Sequence, residues 1–156
     1  MASLECNIAK GRIAELVNRV NTNDPTNAAF VIVPIDKGAA TDDSLRDADT
    51  LSALLAIAGV TERTTGGWNR KTLSDAGGLT ATVDDTGNVV NVDAPNQIWT
   101  GVSGPTLTVT HLVIGYDSDT TAGTDANIVP LGFWDFAITP DGSDVQATIA
   151  DFFQSA

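Results

Sequence analysis

Cysteine and histidine, two residue types that supply catalytic nucleophiles and bases, each occur once in this sequence. His111 stands in LTVTHLVIGY (107–116), where it alternates with Val109 and Val113. A single histidine in such an apolar strand pattern is typical of a packed or surface residue. Cys6 stands near the N-terminus, outside any pattern that pairs a thiol with an activating base. We therefore predict that neither residue is catalytic.

The sequence motifs of common catalytic and nucleotide-binding sites are missing. There is no GxSxG serine elbow. Neither GxxxxGK[ST] nor GxGxxG occurs, so the sequence offers no phosphate-binding loop. With one histidine and one cysteine, a zinc site would have to be built mainly from carboxylates. The sequence predicts a protein that is not an enzyme, with no catalytic residue and no cofactor.

The aspartates of DSDTTAGTD (117–125) are the main alternative, because calcium prefers carboxylate and other oxygen ligands. Asp117 and Asp119 have the spacing that starts an EF-hand loop. The likeness ends there, since Ile128 occupies the twelfth position, where a glutamate is required. We expect no metal, with Asp117, Asp119 and Asp125 as the candidate ligands if one were bound. Their side chains should instead bond the loop's own backbone.

Three tryptophans keep a different binding function open. Trp68, Trp99 and Trp134 could stack on sugar rings, and with the aspartate loop they would suit a calcium-assisted carbohydrate-binding module. Each tryptophan lies on or beside a predicted strand. We therefore expect packing in a core or an interface.

The charge of the 156-residue chain is unevenly distributed along its length. It has 20 acidic and 8 basic residues, for a net charge of -12. All eight basic residues lie in the first 71 positions, and eleven aspartates but no basic residue follow Lys71. This distribution predicts an acidic surface. We expect no nucleic-acid partner, because binding nucleic acid requires lysine and arginine to neutralise phosphates.

Membrane and export signals are also missing from the sequence. No stretch approaches the ~20 apolar residues of a membrane span. The first thirty residues lack the apolar middle region of a signal peptide. We expect a soluble protein made in the cytoplasm, with no membrane partner.

Two segments have the periodicity of amphipathic helices, at 13–20 and at 44–59. The second should begin at a cap from Asp43 or Ser44 and end at Gly59. Between them, AAFVIVPI (28–35) is an apolar run typical of a buried strand. The side chains expected in the core of the fold are Val31, Val33, Leu51, Leu54 and Leu55.

The rest of the chain predicts short strands rich in Val, Ile and Thr, separated by turn signals. The segments are 66–73, 79–83, 88–93, 97–102, 106–116, 127–131 and 133–139, and a last apolar stretch at 145–153 fits a helix or a strand. We predict an α+β fold, a β-dominated antiparallel sandwich or barrel with two N-terminal helices. Residues 1–156 should form a single domain, in which 1–59 pack on a β-rich body formed by 60–156.

Five segments of the chain stand out together: TNDPTNAAFVIV (22–33), DADTLSALLA (47–56), NRKTLSDA (69–76), NQIWTGV (96–102) and the block 116–153. They resemble a family of small virion structural proteins from tailed phages of actinobacteria. The last block is the most specific, with an aspartate–threonine loop, IVPL, an aromatic–aspartate stretch and DGSD. The resemblance runs through nearly the whole chain in the same order.

The resemblance implies a non-enzymatic minor capsid or head decoration protein on the capsid surface of the virion. Its partners would be the major capsid protein and neighbouring copies in the lattice or a homo-oligomer, after synthesis in the host cytoplasm. It supplies no catalytic residues. A structural or adhesion protein of the phage tail or tail tip is the alternative position in the virion.

The charge pattern predicts how such a protein would attach. We expect contacts with the partner to come chiefly from residues 1–35, with Arg12, Leu16 and Arg19 as partner-binding residues. The aspartate loops should face outward, because packing many acidic surfaces together would be repulsive.

Overall fold

The computed structural model describes residues 3–149 and 152–155. In chain order the strands and α-helices are β1 (Ser3–Glu5), α1 (Ile13–Asn21), β2 (Ala29–Asp36), α2 (Asp42–Arg46), α3 (Leu51–Leu55), β3 (Thr61–Glu62), β4 (Lys71–Leu73), β5 (Thr80–Asp84), β6 (Val89–Asp93), β7 (Gln97–Trp99), β8 (Val109–Asp117), β9 (Val129–Ile138), β10 (Val145–Ala147) and β11 (Phe153–Ser155). Two short 3-10 turns add Asn7–Ala9 and Asp75–Gly77.

The strands form one large sheet and two small ones. The central sheet has the order β1-β9-β8-β2-β3, and β4 also pairs with β2. A three-stranded sheet has the order β11-β6-β5, and β10 pairs with β7. These pairings are antiparallel. The prediction of a β-dominated, antiparallel α+β fold is confirmed at this level.

Strand β2 lies inside the central sheet and is buried on both faces, which explains its continuous apolar run. Successive side chains of a strand point to opposite faces. Phe30 and Ile32 therefore enter one core, and Val31, Val33 and Ile35 enter the other. The N-terminal part of the chain thus supplies β1 and β2 to the same sheet as β8 and β9, rather than packing on a separate body.

The larger core lies between one face of the central sheet, helix α1 and the two small sheets. Helix α1 contributes its apolar stripe, and the small sheets contribute buried side chains such as Val92, Trp99 and Ala147. The smaller core lies on the opposite face, against α2 and α3. The α1 residues in the larger core are Ile13, Leu16, Val17 and Val20.

The prediction of one helix over 44–59 is wrong, so the fold has three short α-helices instead of two N-terminal ones. Helix α2 ends at Arg46 and α3 begins at Leu51. A tertiary contact maintains the break, because the backbone N–H of Leu51 donates to the carbonyl of Ile128 at 2.9 Å. The adjacent N–H of Ser52 donates to the carbonyl of Asp125 at 3.0 Å.

The caps of these helices also differ from the prediction. The Oγ1 of Thr41, not Asp43 or Ser44, caps α2 by accepting from the Ser44 N–H at 3.2 Å. Thr50 caps α3 in the same way. The predicted core is confirmed for Leu51, Leu54, Val31 and Val33, all buried, whereas Leu55 is half-buried.

The strand boundaries correct the sequence pattern in two places. The predicted strands 127–131 and 133–139 are one strand, β9, which runs through Gly132. A Cβ at Gly132 would lie 2.5 Å from the Leu4 carbonyl oxygen, so glycine permits the close approach of β1. Within the predicted segment 145–153, residues 145–147 form β10, and residues 150–151 lie outside the described part.

Candidate functional site

The aspartate loop after β8 is held together by its own backbone. Asp117 is only 5% exposed, and its Oδ1 accepts the Asp119 N–H at 3.0 Å. Asp119 Oδ1 accepts both the hydroxyl of Thr121, at 2.6 Å, and its N–H, at 3.0 Å. These hydrogen bonds from Thr121 lower the pKa of Asp119. The first two candidate ligands therefore already have partners within the loop.

The third candidate, Asp125, is bound by an arginine on another part of the chain. Arg70 donates to Asp125 through Nη1 at 2.6 Å and Nη2 at 3.0 Å, and to Glu62 through Nε at 2.6 Å and Nη2 at 2.7 Å. The hydrogen bonds from Arg70 lower the pKa of Asp125, and those to Glu62 and Asp125 raise the pKa of Arg70. We call these three residues the Arg70 clamp.

The clamp connects three parts of the molecule. Glu62 belongs to β3, Arg70 precedes β4, and Asp125 lies in the loop whose carbonyl accepts the Ser52 N–H at the start of α3. Asp125 thereby points to Arg70 and not to Asp117 and Asp119. Across residues 3–149 and 152–155, no group of three or more His, Cys, Asp or Glu is placed to hold a metal ion.

His111 is a buried residue of the central sheet, 5% exposed. Its Nδ1 lies 3.0 Å from Thr110 Oγ1, its Nε2 lies 3.0 Å from Asp135 Oδ1, and its ring packs on the edge of Phe133. Burial lowers the pKa of His111. The largely exposed Asp135 carboxylate has the opposite effect, but a smaller one. The neutral imidazole is thus fixed between two strands, as a packed strand residue is.

Cys6 lies in the smaller core and is 0% exposed. Burial raises the pKa of its thiol to about 12. Because the thiolate is the reactive form, this side chain is protonated and weakly nucleophilic at neutral pH.

The tryptophans fill the interior instead of forming an exposed platform. Trp68 and Trp99 are 2% and 0% exposed, and their rings pack 5.4 Å apart. Their Nε1 groups donate to the carbonyls of Leu107 and Asn69. Trp134 is half-buried, with its ring 5.7 Å from that of Phe152.

A cavity of about 340 Å³ opens beside β1 and β9. Its size lies at the lower end of the range for small-molecule sites. Apolar side chains form most of its wall, including Ile13, Leu131 and Phe133, and Glu5 is the charged residue in the lining. One carboxylate does not fix the orientation of a ligand in the way that several convergent polar groups would.

The prediction that Leu16 binds a partner is wrong. It is 1% exposed because the apolar stripe of α1 packs into the larger core. Arg12 is exposed, and Arg19 is half-exposed and paired with Glu15 at 2.8 Å. Residues 13–35 therefore offer little apolar surface to a partner.

Most of the positive charge is neutralised within the fold. Five of the eight cationic side chains form ion pairs with carboxylates: Arg19, Lys37, Arg46, Arg63 and Arg70. Lys71 lies 5.4 Å above the ring of Trp99. Each pair also neutralises a carboxylate, so the net charge of -12 remains and the excess charge of the chain is negative.

The exposed large apolar side chains of the described region all follow Lys71 in sequence. They are Val83, 67% exposed, Ile98, 48% exposed, and Val90, 36% exposed. Val83 and Val90 are direct cross-strand neighbours in the hairpin formed by β5 and β6. The sequence pattern did not identify these residues as exposed. An alternating strand pattern shows which side chains share a face, but not which end of that face stays uncovered by the rest of the fold.

The apolar face of this hairpin is covered at one end and open at the other. Val92 lies two residues from Val90 on β6, so both side chains are on the same face. Val92 is 3% exposed and belongs to the larger core. The face thus runs out of the core and continues into solvent at Val83 and Val90.

Comparison with known proteins gives no relative: no family model, no curated protein and no solved structure matches this chain. No helix in the described part is long and apolar enough to cross a membrane.

Proposed function

We propose that this chain is a non-enzymatic structural protein of a bacteriophage virion, a decoration protein that binds the outside of the major capsid lattice. The observation that carries the proposal is the uncovered apolar face at Val83 and Val90 on an otherwise acidic surface. Exposed apolar surface rimmed by polar groups is where proteins contact one another when the patch is large, and Val83 and Val90 form the start of such a patch at the open end of the hairpin.

The polar groups of the chain support a binding role over a chemical one. His111 is fixed between strands, the Cys6 thiol is buried and protonated, and Asp125 is bound by Arg70. These side chains are used in holding the fold together. The likeness of five sequence segments to small virion proteins points to the same conclusion.

Decoration also fits the charge of the surface. Many copies on a repeating lattice can bind through avidity, so each contact can be small. With a net charge of -12, closely spaced copies would repel one another unless the acidic surface faces solvent or meets a basic partner. The hairpin face is the part whose apolar side chains would gain from being covered.

The deciding experiment is quantitative mass spectrometry of purified virions. The protein is expected at many copies, in a fixed ratio to the major capsid protein. A few copies per particle, or a multiple set by the tail tube, would place it in the tail instead. Its absence from purified particles would overturn the proposal.

A second measurement tests the attachment surface. Purified protein is added to undecorated capsids, with Val83→Asp as the disrupting variant. Thr82→Asp is the matched control, because Thr82 is exposed, points to the opposite face of β5 and lies opposite the uncharged Asn91. Val83→Asp is expected to lose binding while the control retains it. Equal binding by the two variants would remove the hairpin face from the attachment site.

The alternative of a calcium-assisted carbohydrate-binding module gains no support from the site. Its candidate ligand Asp125 is bound to Arg70, and Trp68 and Trp99 are buried.

A further inference from the structure

We propose that β5 is a docking edge, onto which an extended segment of a partner protein adds as a new strand. The segment would carry apolar side chains on one face and lysine or arginine on the other. This inference rests on the proposed function for the identity of the partner, a virion protein. The recognition itself depends on β5 and β6 alone.

The main chain of β5 is available on one side. Strand β5 is at the end of its sheet and pairs only with β6 in the described part of the chain. In an edge strand, every second N–H and C=O points away from the sheet and can pair with an added strand. The residues from Thr80 to Val83 are all exposed.

This edge lacks most of the features with which proteins usually prevent strand addition. Those features are proline, charged side chains, a bulge or a covering loop, and β5 has a charge only at its last residue, Asp84. The segment Thr80–Asp84 reads TATVD, and its register with β6 runs without a bulge. Thr80 and Val83 are exposed, so nothing covers the strand there in the described structure. The edge is therefore open to pairing.

The apolar face determines one side of the partner segment. Val83 and Val90 lie opposite each other on this face and are exposed. A strand added beside β5 would place its own side chains next to Val83, and apolar ones would remove that surface from water.

Charge determines the other side of the segment. Asp84 and Asp93 lie on the face opposite Val83, because Asp84 is its neighbour in sequence and Asp93 pairs with Thr80. The segment 75–97 contains four aspartates and no lysine or arginine. A basic segment complements this face, whereas a second copy of the same hairpin would bring aspartates to aspartates.

Peptide binding tests the recognition without any virion. The probes are labelled decapeptides: one alternates valine with lysine, one alternates valine with glutamate, and one has the lysine peptide's composition with valines and lysines in separate blocks. Fluorescence anisotropy with the full chain is expected to show binding of the alternating lysine peptide only. Equal binding of the block peptide would show a non-specific charge effect and overturn the proposal.

Variants of the chain locate the contact. Val83→Thr is expected to weaken binding of the lysine peptide about tenfold, because it removes apolar contact area from the edge, whereas Val89→Thr on the opposite face should not. Asp84 is half-buried, and its Oδ1 accepts the N–H groups of Thr86 and Gly87. Asp84→Asn keeps an oxygen for these bonds and removes the charge, so it should weaken peptide binding about two- to fivefold, with a smaller effect at high salt. Unchanged binding by Val83→Thr would overturn the proposal.

Proline blocks the edge itself. At Ala81 and Thr82, one N–H points to β6 and the other points outward, so one of the two proline variants should retain its folding. Circular dichroism identifies the folded variant, which is expected to lose the peptide. Binding that survives in the folded proline variant would overturn strand addition.

Three outcomes separate this inference from its alternatives. If the intact chain dimerises in sedimentation and Val83→Thr abolishes the dimer, the occupant is a second copy, and the basic segment is wrong. If the folded proline variant binds undecorated capsids as well as the intact chain, strand addition fails while the decoration function stands. If the protein is absent from virions but still binds the alternating lysine peptide in the way described, the decoration function fails and the docking edge stands.

Discussion

Replacing Arg70 with alanine removes the group that holds β3, the segment before β4 and the 118–128 loop together. Arg70 forms bidentate hydrogen bonds to both Glu62 and Asp125, and the three side chains are 30%, 15% and 38% exposed. A fully exposed pair contributes about 0–1 kcal/mol. Breaking a fully buried one costs about 3–5 kcal/mol. With partial exposure, we expect Arg70→Ala to cost about 2–3 kcal/mol, much of it from two carboxylates left without a cation.

Thermal unfolding measures this directly. For a chain of this size, each kcal/mol shifts the Tm by about 2–4 °C, so Arg70→Ala should lower the Tm by roughly 5–10 °C. Arg70→Lys should recover only part of the loss, because an ammonium cannot bind two carboxylates bidentately. Arg19→Ala is the control, since its pair with Glu15 is about half exposed and should contribute about 0.3–0.5 kcal/mol. If Arg70→Ala and Arg19→Ala have the same Tm, the clamp does not hold the fold together and the reasoning is refuted.

Three further predictions follow from the cores and the loop. Leu54→Ala should cost ~2–5 kcal/mol in urea unfolding, because Leu54 is 0% exposed; unchanged stability would contradict its burial. Millimolar calcium should leave the Tm unchanged, and a rise that Asp119→Ala abolishes would show a site that the clamp does not prevent. Burial lowers the pKa of His111 below 6.5 in the folded chain. As the pH falls, His111 therefore binds a proton at a higher pH in the unfolded chain than in the folded one. Its contribution to stability should be complete above pH 6.5 and decrease below it, and His111→Gln should flatten that slope in pH-dependent unfolding; an unaltered slope would contradict the assignment.

Local patterns predicted much of this fold because several elements are determined by their own periodicity. The four apolar residues of α1 face the core as their spacing indicates, and β2 is buried on both sides as its continuous apolar run indicates. The turn-rich sequence after residue 59 correctly indicated short antiparallel strands. In each case the signal lies within one element and needs no knowledge of its neighbours.

Apart from the helix caps at Thr41 and Thr50, which are local, the failures share a different cause, since they depend on partners distant in sequence. The break between α2 and α3 relies on carbonyls of residues 125 and 128, which no local propensity can indicate. In the sequence, Gly132 suggests the end of a strand. In the structure it lies within β9, where the missing side chain allows the close approach of β1. Leu16 appeared available for a partner because the sequence does not tell which element covers an apolar stripe.

The candidate site illustrates the same distinction through charge. Along the sequence the cations precede Lys71 and the aspartates predominate after it, which suggests a basic half and an acidic half. In three dimensions most cations are paired with carboxylates, often of the same N-terminal part, as Arg63 is with Asp36 and Lys37 with Asp42. The basic half therefore does not exist as a surface. The net charge of the chain is strongly negative, and an apolar face is open at Val83 and Val90. Under our proposal, the complementary surface therefore brings positive charge and apolar side chains of its own.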